Sequence, residues 1–175
     1  MDALIDDFHD PGRAANGARW RFASDTVMGG VSTGVLGHRT VQARRSLRMT
    51  GDVSLQNDGG FISMGLELAP DGQTLDASEF AGIGFDALGN GERYGLHLRT
   101  ADATRPWQSW RAEFPTTRHW TRVNLPFRAF EPHRTDVPLD PSRLRRLSVI
   151  AIGRAFHADL AVSDLHFVRP EPSDG

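Results

Sequence analysis

The chain has 175 residues, which is enough for one domain with a sizeable hydrophobic core. Its 20 basic and 22 acidic residues give a formal net charge of -2, which argues against a nucleic-acid binder that depends on bulk positive charge. The absence of cysteine excludes disulfides, thiolate metal sites and a cysteine nucleophile.

The N-terminal segment gives an expectation about location. Residues 1–7 are acidic and lack a long apolar run, so they resemble neither a secretory signal nor an arginine-rich mitochondrial presequence. No segment has the length and hydrophobicity of a membrane span. We therefore expect a cytoplasmic, bacterial protein that would reach a membrane complex only from its soluble side.

The chain begins with a short apolar strand at residues 4–8, followed by a loop at residues 11–17 that contains proline and glycine. Trp20 and Phe22 then alternate with a polar residue, as side chains do in a strand. The chain becomes polar and turns at residues 24–30. A strand–turn–strand unit is therefore predicted here.

The turn within segment 20–32 combines an acid, a thioether and the glycine pair Gly29–Gly30, which permits positive φ or close backbone approach. Apolar periodicity favours core positions for Trp20 and Met28. The alternative is a rim at which Met28 and Asp25 contact a ligand or partner. For Asp25 we favour a structural role, because carboxylates in turns commonly accept backbone hydrogen bonds.

The middle of the chain continues the pattern of half-buried strands. Alternating apolar residues predict strands around residues 35–49, 53–55, 61–68, 83–87 and 94–98. Turn signals separate them at residues 57–60, 70–72 and 90–91, and residues 74–80 form a connection. Alternation places His97 on the face opposite Leu96 and Leu98, at a surface or groove.

The last part of the chain predicts further strands and one long loop. The expected elements are strands at 107–114 and 120–125, a surface loop at 128–141, a helical turn at 142–146, a central strand at 147–153 and a strand at 160–167 that closes the sheet. The odd spacing of Trp107 and Trp110 puts one in the core and one outside. An exposed tryptophan suits sugar or peptide contact, and packing at a sheet edge is the alternative.

Many short strands with regular turns and almost no helical periodicity predict an antiparallel sandwich or barrel. The pattern does not distinguish an immunoglobulin-like topology from a jelly roll. No linker or internal repeat is visible. We therefore expect a single domain over residues 1–175, with a core at about 4–168 and a flexible tail at 169–175.

Recognised catalytic motifs are absent, including the G-x-S-x-G elbow, H-E-x-x-H and the Walker A loop. His157 and Asp159 have the spacing of a metal or acid–base pair, but no further ligand supports it, and a solvated loop pair is favoured. Asp52, Asn57 and Asp58 offer oxygen ligands for calcium, yet turn capping explains the same residues. We expect no catalysis, no metal and no cofactor.

The stretch Asp25–Ser32 resembles the signature of the complex I intermediate-associated protein family, which are NADH:ubiquinone oxidoreductase assembly factors and their bacterial relatives. Similar blocks follow at Gly51–Leu55, Asn57–Phe61, Gly89–Tyr94 with Leu96 and Leu98, and Trp120 with Val123–Phe127. The resemblance runs from about residue 7 to residue 168. Two positions depart from it: Gly65 stands where the family has an arginine, and Asn90 where it often has an acid.

The resemblance implies an all-β jelly-roll β-sandwich of the galactose-binding-domain-like type. It implies a non-enzymatic chaperone that binds a protein client, such as a respiratory complex subunit or assembly intermediate, and shields its apolar surface. The alternatives are a carbohydrate-binding module, by analogy with other galactose-binding-like domains, and a small hydrolase, for which no triad is visible. Neither a nucleic-acid partner nor a membrane span is expected. The candidate binding residues are Trp20, Ser24, Asp25, Met28, Gly29, Gly30, Asn57, Tyr94, Trp107 and Trp110.

Overall fold

The computed structural model describes residues 3–172, and these contain two antiparallel sheets of six strands each. The strands are β1 (Leu4–Asp6), β2 (Arg21–Ser24), β3 (Thr33–Val41), β4 (Arg44–Val53), β5 (Phe61–Glu67), β6 (Gly82–Leu88), β7 (Arg93–Thr100), β8 (Ser109–Pro115), β9 (Thr121–Pro126), β10 (Glu131–His133), β11 (Leu144–Ile152) and β12 (Phe156–Val168). The helical segments of this part of the chain are short 3₁₀ turns. The predicted all-β class is therefore confirmed.

Sheet A has the strand order β3-β4-β12-β6-β9, with β1 paired to β12, and sheet B has the order β10-β8-β7-β11-β5-β2. The predicted central position of β11 is confirmed, because it lies between β7 and β5. The final predicted strand, β12, is also central. It pairs with β4 and then with β6, and the register shifts between Ser163 and His166, where Asp164 has φ +50°.

The two sheets enclose one hydrophobic core because their strands alternate apolar and polar side chains. Leu47, Met49, Ile83, Phe85, Leu160 and Val162 of sheet A pack in one cluster with Ile62, Met64, Leu96, Leu98, Leu147 and Val149 of sheet B. Phe85 and Phe114 meet edge to face across the sandwich, with ring centroids 5.0 Å apart. The outward-facing side chains of the sheets and those of the loops are consequently available for binding.

The hydroxyl group of Tyr94, on β7 of sheet B, forms hydrogen bonds that connect it to β12 of sheet A. The oxygen accepts a hydrogen bond from Asp159 N at 2.9 Å and donates to Asn90 Oδ1 at 2.7 Å. Asn90 Nδ2 in turn donates to the carbonyl of His157 at 2.8 Å. An amide supplies both the acceptor and the donor, which gives Asn90 a structural role at a position where the resembled family often has an acid.

Two local expectations are wrong and one is correct in part. The predicted loop at 128–141 contains β10, which is an edge strand and can therefore accommodate Pro132. The predicted helical turn at 142–146 is present as a 3₁₀ turn at Pro141–Arg143, capped by Asp140, but it ends earlier than expected because β11 begins at Leu144. Trp107 precedes β8 rather than belonging to it.

The expected core limits of about 4–168 and the flexible tail stay predictions. Residues 169–172 follow β12 without strand or helix, and the rest of the predicted tail lies outside the described residues. Within residues 3–172, no helix is long and apolar enough to cross a membrane.

Candidate functional site

The predicted turn after β2 is a single 3₁₀ turn, Asp25–Met28, and Ser24 is its N-terminal cap. The Ser24 side chain caps the turn by accepting a hydrogen bond from Thr26 N at 3.3 Å. Gly29 ends the turn in the left-handed region with φ +85°, a conformation that glycine adopts without a steric penalty. The local sequence Ser-Asp followed by Gly-Gly therefore encodes a sharp, capped turn.

Asp25 is fully buried and joins this turn to a second loop. Its carboxylate accepts hydrogen bonds from Ser32 N at 3.0 Å, Gly60 N at 2.6 Å and Phe61 N at 3.3 Å, and from the Ser32 hydroxyl. Residues 25–32 are thus fastened to residues 60–61, at the start of β5. The structure supports the structural role favoured for Asp25 and contradicts the alternative in which Asp25 is exposed at a rim.

Further hydrogen bonds connect the same two loops. The Ser32 hydroxyl oxygen also accepts from Ser54 N at 2.8 Å, and Asn57 Nδ2 donates to the carbonyl of Gly29 at 3.3 Å. Asn57 and Asp58 both have positive φ, which asparagine and aspartate tolerate better than most residues. The segment 54–60 is consequently held against the 24–32 turn at several points.

Glycines leave the space that the carboxylate occupies. A Cβ at Gly30 or at Gly59 would overlap the Asp25 side chain, so both positions require hydrogen in place of a methyl group. Gly29, by contrast, has open space around its Cα and is constrained by its φ angle alone. The glycines of the two blocks therefore serve two different physical purposes.

The electrostatics of Asp25 follow from burial and hydrogen bonding. Burial of the carboxylate raises its pKa, but the donors from Ser32, Gly60 and Phe61 outweigh burial and hold the pKa below its ordinary value of 3.8. Asp25 is therefore ionised at neutral pH, with its charge dispersed over the two loops. Asp25 therefore holds the two loops together by hydrogen bonds and does not serve as a proton donor or acceptor.

The two joined loops present apolar side chains to solvent. We call Val27, Met28, Val31 and Leu55 the apolar rim; their exposed fractions are 78%, 60%, 44% and 51%. The core position favoured for Met28 is wrong, because the period of a strand does not continue through the 3₁₀ turn that carries it. For Trp20 the core prediction is correct in part. Trp20 is partly buried against the core, and its indole Nε1 donates a hydrogen bond to Asp6 Oδ2 at 2.8 Å.

The other candidate binding residues divide between surface and interior. Tyr94 and Trp110 are buried, so they support the sandwich and cannot contact a ligand directly. Trp107 is 61% exposed, which agrees with the expectation that one of the two tryptophans is outside. Asn57 and Gly29 are accessible on the two loops, whereas Ser24 and Gly30 are buried with Asp25.

The residues weighed as metal ligands are engaged elsewhere. His157 contacts Asp52 through Nδ1 at 2.9 Å, and Asp159 forms a two-point ion pair with Arg48. Within residues 3–172, no group of three or more histidine and acidic side chains is arranged to hold a metal ion. The His157–Asp159 spacing therefore reflects two separate surface pairs.

Comparison with known proteins adds a family to this geometry. A family model described as complex I intermediate-associated protein 30 (CIA30) matches residues 7–160. The chain belongs to this family. The matched range includes both loops that Asp25 connects, residues 24–32 and 54–60. No curated protein sequence matches this CIA30-family chain.

Solved structures share its fold at low sequence identity. The family 11 carbohydrate-binding module of the cellulosomal cellulase Lic26A-Cel5E of Clostridium thermocellum is 14% identical with a TM-score of 0.75, covering 100% of this chain and 98% of that module. The family 30 module of the cellulosomal cellulase Cel9D-Cel44B of Clostridium thermocellum is 19% identical with a TM-score of 0.68, covering 98% and 99%. These likenesses confirm the jelly-roll β-sandwich, and at such identities they establish the fold alone.

Sequence reasoning missed most of the apolar rim. Val27, Val31 and Leu55 resemble ordinary strand or turn residues in the amino-acid sequence. A usable signal exists, because Val27 and Met28 lie between a capping Ser-Asp pair and a glycine pair, and such a turn is too short to bury both side chains. The sequence does not show which distant loop lies beside this turn.

Proposed function

We propose that this CIA30-family chain is a non-enzymatic protein-binding factor that holds a subunit or assembly intermediate of a respiratory complex, acting from the cytoplasm. The observation that carries the proposal is the apolar rim, whose four exposed side chains lie on loops fixed by the buried Asp25. The family description supports a client in complex I assembly.

The rim has the properties of a protein-binding surface. Exposed apolar side chains gain free energy when a partner removes them from water, and methionine adapts its shape to different partners. Because the Asp25 hydrogen bonds already fix both loops, little backbone entropy remains to be lost on binding. These features suit temporary shielding of a client's apolar surface better than recognition of a small polar ligand.

The test replaces two rim residues together, Val27→Ser and Met28→Ser, and compares them with Val137→Ser. Val137 is also an exposed valine but lies outside both loops. In host cells that lack the native protein, the double variant should fail to restore assembled complex I on native gels, whereas Val137→Ser should restore it. Thermal melts establish that both variants are folded. Full restoration by a folded double variant would contradict the proposal.

A carbohydrate-binding function is the second candidate, and exposed Trp107 favours it because indole rings stack on sugar faces. Affinity gels that contain soluble β-glucans would retard the native protein and not Trp107→Ala if this function holds. Equal mobility of both proteins with and without polysaccharide would exclude these glucans as ligands.

The absence of catalysis is also part of the proposal. Asp25 is buried and bonded, and the pairs His157–Asp52 and Asp159–Arg48 lack a nucleophile between them. We expect no turnover in glycosidase and esterase screens. Turnover that a single point substitution abolishes would show that the chain is an enzyme.

A further inference from the structure

The outer face of sheet B, which points away from the core, carries a row of register partners across five strands. In order these are Arg21 on β2, Gly65 on β5, Ser148 on β11, His97 on β7 and Arg111 on β8. Neighbouring strands are about 4.8 Å apart, so the row extends over about 19 Å from its first arginine to its last. Arg21 and Arg111 thus stand on either side of small or polar residues, and Glu131 on the edge strand β10 follows Arg111 in the same register.

The β2 end of this row is a groove. Its volume is about 190 Å³, and the residues that line it include Arg19, Arg21, Arg146, Glu67, Gly65 and Ser148. Gly65 opens the groove, because a side chain at this position would stand over the floor near the Ser148 hydroxyl. The position where the resembled family has an arginine is therefore, in this chain, part of a recess.

The charges on this face do not cancel. Arg146 pairs with Glu67 at 2.5 Å, and Arg93 pairs with Glu113 at 3.5 Å. Within residues 3–172, Arg21, Arg99 and Arg111 on this face have no ion pair, and neither has Arg19 in the groove. Glu131, the register partner of Arg111, is the one further acid on the described strands of this face. A net positive charge remains in a chain whose formal net charge is -2.

Two partly buried basic groups contribute to this face, His97 within the row and Arg99 beside it on β7. Arg99 Nε is buried without a hydrogen-bond partner in the described part of the chain. Burial, and then repulsion from Arg146, lower the pKa of the Arg99 guanidinium. Burial lowers the pKa of His97 to about 3, assisted by Arg111, so His97 is neutral at physiological pH. An anionic acceptor would relieve the unpaired N–H and the mutual repulsion of the arginines.

We infer that this face binds an extended acidic peptide segment of the client, with carboxylates along the row from Arg21 to Arg111. The inference rests on the proposed function and specifies the chemistry of its partner. A single phosphate or carboxylate does not reach over about 19 Å, whereas an extended peptide of about seven residues does. Arginine forks bind carboxylates with two parallel hydrogen bonds.

Other polyanions fit the face less well. Single-stranded nucleic acids bind on surfaces where tryptophan, tyrosine or phenylalanine stacks on successive bases, and none of these stands in the row. The net charge of -2 also opposes a long nucleic-acid strand. Neutral sugars would leave the arginines uncompensated. A short segment with alternating carboxylates matches both the length and the charge.

The experiment uses a fluorescently labelled peptide in which glutamate alternates with serine, and an otherwise identical peptide with glutamine. Fluorescence anisotropy should show binding of the glutamate peptide and none of the glutamine peptide. Arg21→Gln and Arg111→Gln should each weaken binding by about fivefold, while Arg39→Gln should not. Arg39 is a matched control because it is exposed on β3 of the other sheet. Thermal melts verify that each variant is folded.

Three outcomes would overturn the inference: equal binding of both peptides, equal loss in all three arginine variants, or tighter binding of heparin or single-stranded RNA than of the glutamate peptide. The proposed function fails separately. Arginine variants that lose the peptide but still restore complex I assembly overturn this inference alone. Restoration of assembly by the folded Val27→Ser and Met28→Ser variant overturns the proposed function alone.

Discussion

Replacing Asp25 with alanine leaves three backbone N–H groups, those of Ser32, Gly60 and Phe61, without their acceptor. Buried donors without partners each cost about 1–3 kcal/mol, and the loops can relax to recover part of that cost. We expect Asp25→Ala to lower the free energy of unfolding by roughly 3 kcal/mol. The melting temperature should fall by roughly 6–12 °C.

The matched control for this substitution is Asp71→Ala, which removes an exposed turn carboxylate. Its unfolding free energy should stay within about 0.5 kcal/mol of the native protein. If the Asp25→Ala variant has the same melting temperature as the native protein and yet fails to support complex assembly, the structural role of Asp25 is wrong.

The pH dependence of stability provides a second prediction for Asp25. Its folded pKa lies below its unfolded value, so its ionised form contributes stability above about pH 4, and that contribution disappears as pH falls through the folded pKa. The stability difference between the native protein and Asp25→Ala should therefore be constant near neutrality and shrink on acidification below about pH 4. Urea unfolding of both proteins over this range measures it, and a difference that grows on acidification would contradict the prediction.

Gly29 and Gly30 should respond differently to alanine, although they are adjacent. Gly29→Ala meets only the penalty of positive φ, about 1 kcal/mol, whatever residue stands at position 25. Gly30→Ala pushes against the Asp25 side chain, so its cost should be larger. The cost should fall only in part when Asp25 is already alanine, because the carboxylate is then gone but the Cβ of residue 25 still lies within 2.8 Å of the added methyl group. A double-mutant cycle with chemical denaturation measures both couplings. Additive costs for Gly30→Ala and Asp25→Ala would show that the predicted steric conflict is absent.

At the scale of strands, Tyr94 reports on the contact between β7 and β12. It is the chain's one tyrosine, and burial is the main reason its pKa is raised to about 12. Because the folded pKa exceeds the unfolded value near 10, the unfolded chain loses its proton first, and stability should decrease as pH rises above about 10. The ultraviolet absorbance of phenolate should appear near pH 10 in denaturant and about two units higher in the folded protein. Ionisation near pH 10 in both states would contradict the buried hydroxyl network.

The strands that sequence analysis predicts well are β5 and β7, which alternate regularly, and β11, which is a nearly continuous apolar run. The alternating side chains of β5 and β7 face the core, and the apolar run of β11 indicates a strand with neighbours on both sides, so these patterns report the fold directly. β10 is not predicted because it has three residues at a sheet edge, and its side chains do not show the alternation of a half-buried strand. Of the site, the capped turn and the role of Asp25 follow from local chemistry, whereas its contact with Gly60 and the arginine row depend on the register of distant strands.

At the scale of the whole chain, the single-domain expectation stays a prediction. One hydrophobic cluster contains side chains of both sheets, so neither sheet has a core of its own. We expect unfolding in urea to be a single transition in which tryptophan fluorescence and far-ultraviolet circular dichroism coincide. Two separated transitions would indicate independent units, and a helical dichroism spectrum would contradict the fold itself.

The central place of β12 in sheet A has a consequence for how the protein is made. The strand begins at Phe156, yet it is the neighbour of β4, which ends at Val53, and of β6, which ends at Leu88. During synthesis both earlier strands leave the ribosome long before their shared partner exists, and their open edges can pair with other nascent chains. Contacts this distant in sequence also slow folding once the strand is available. We therefore expect completion of sheet A to be the late step, with the growing chain dependent on general chaperones until Val168 has emerged.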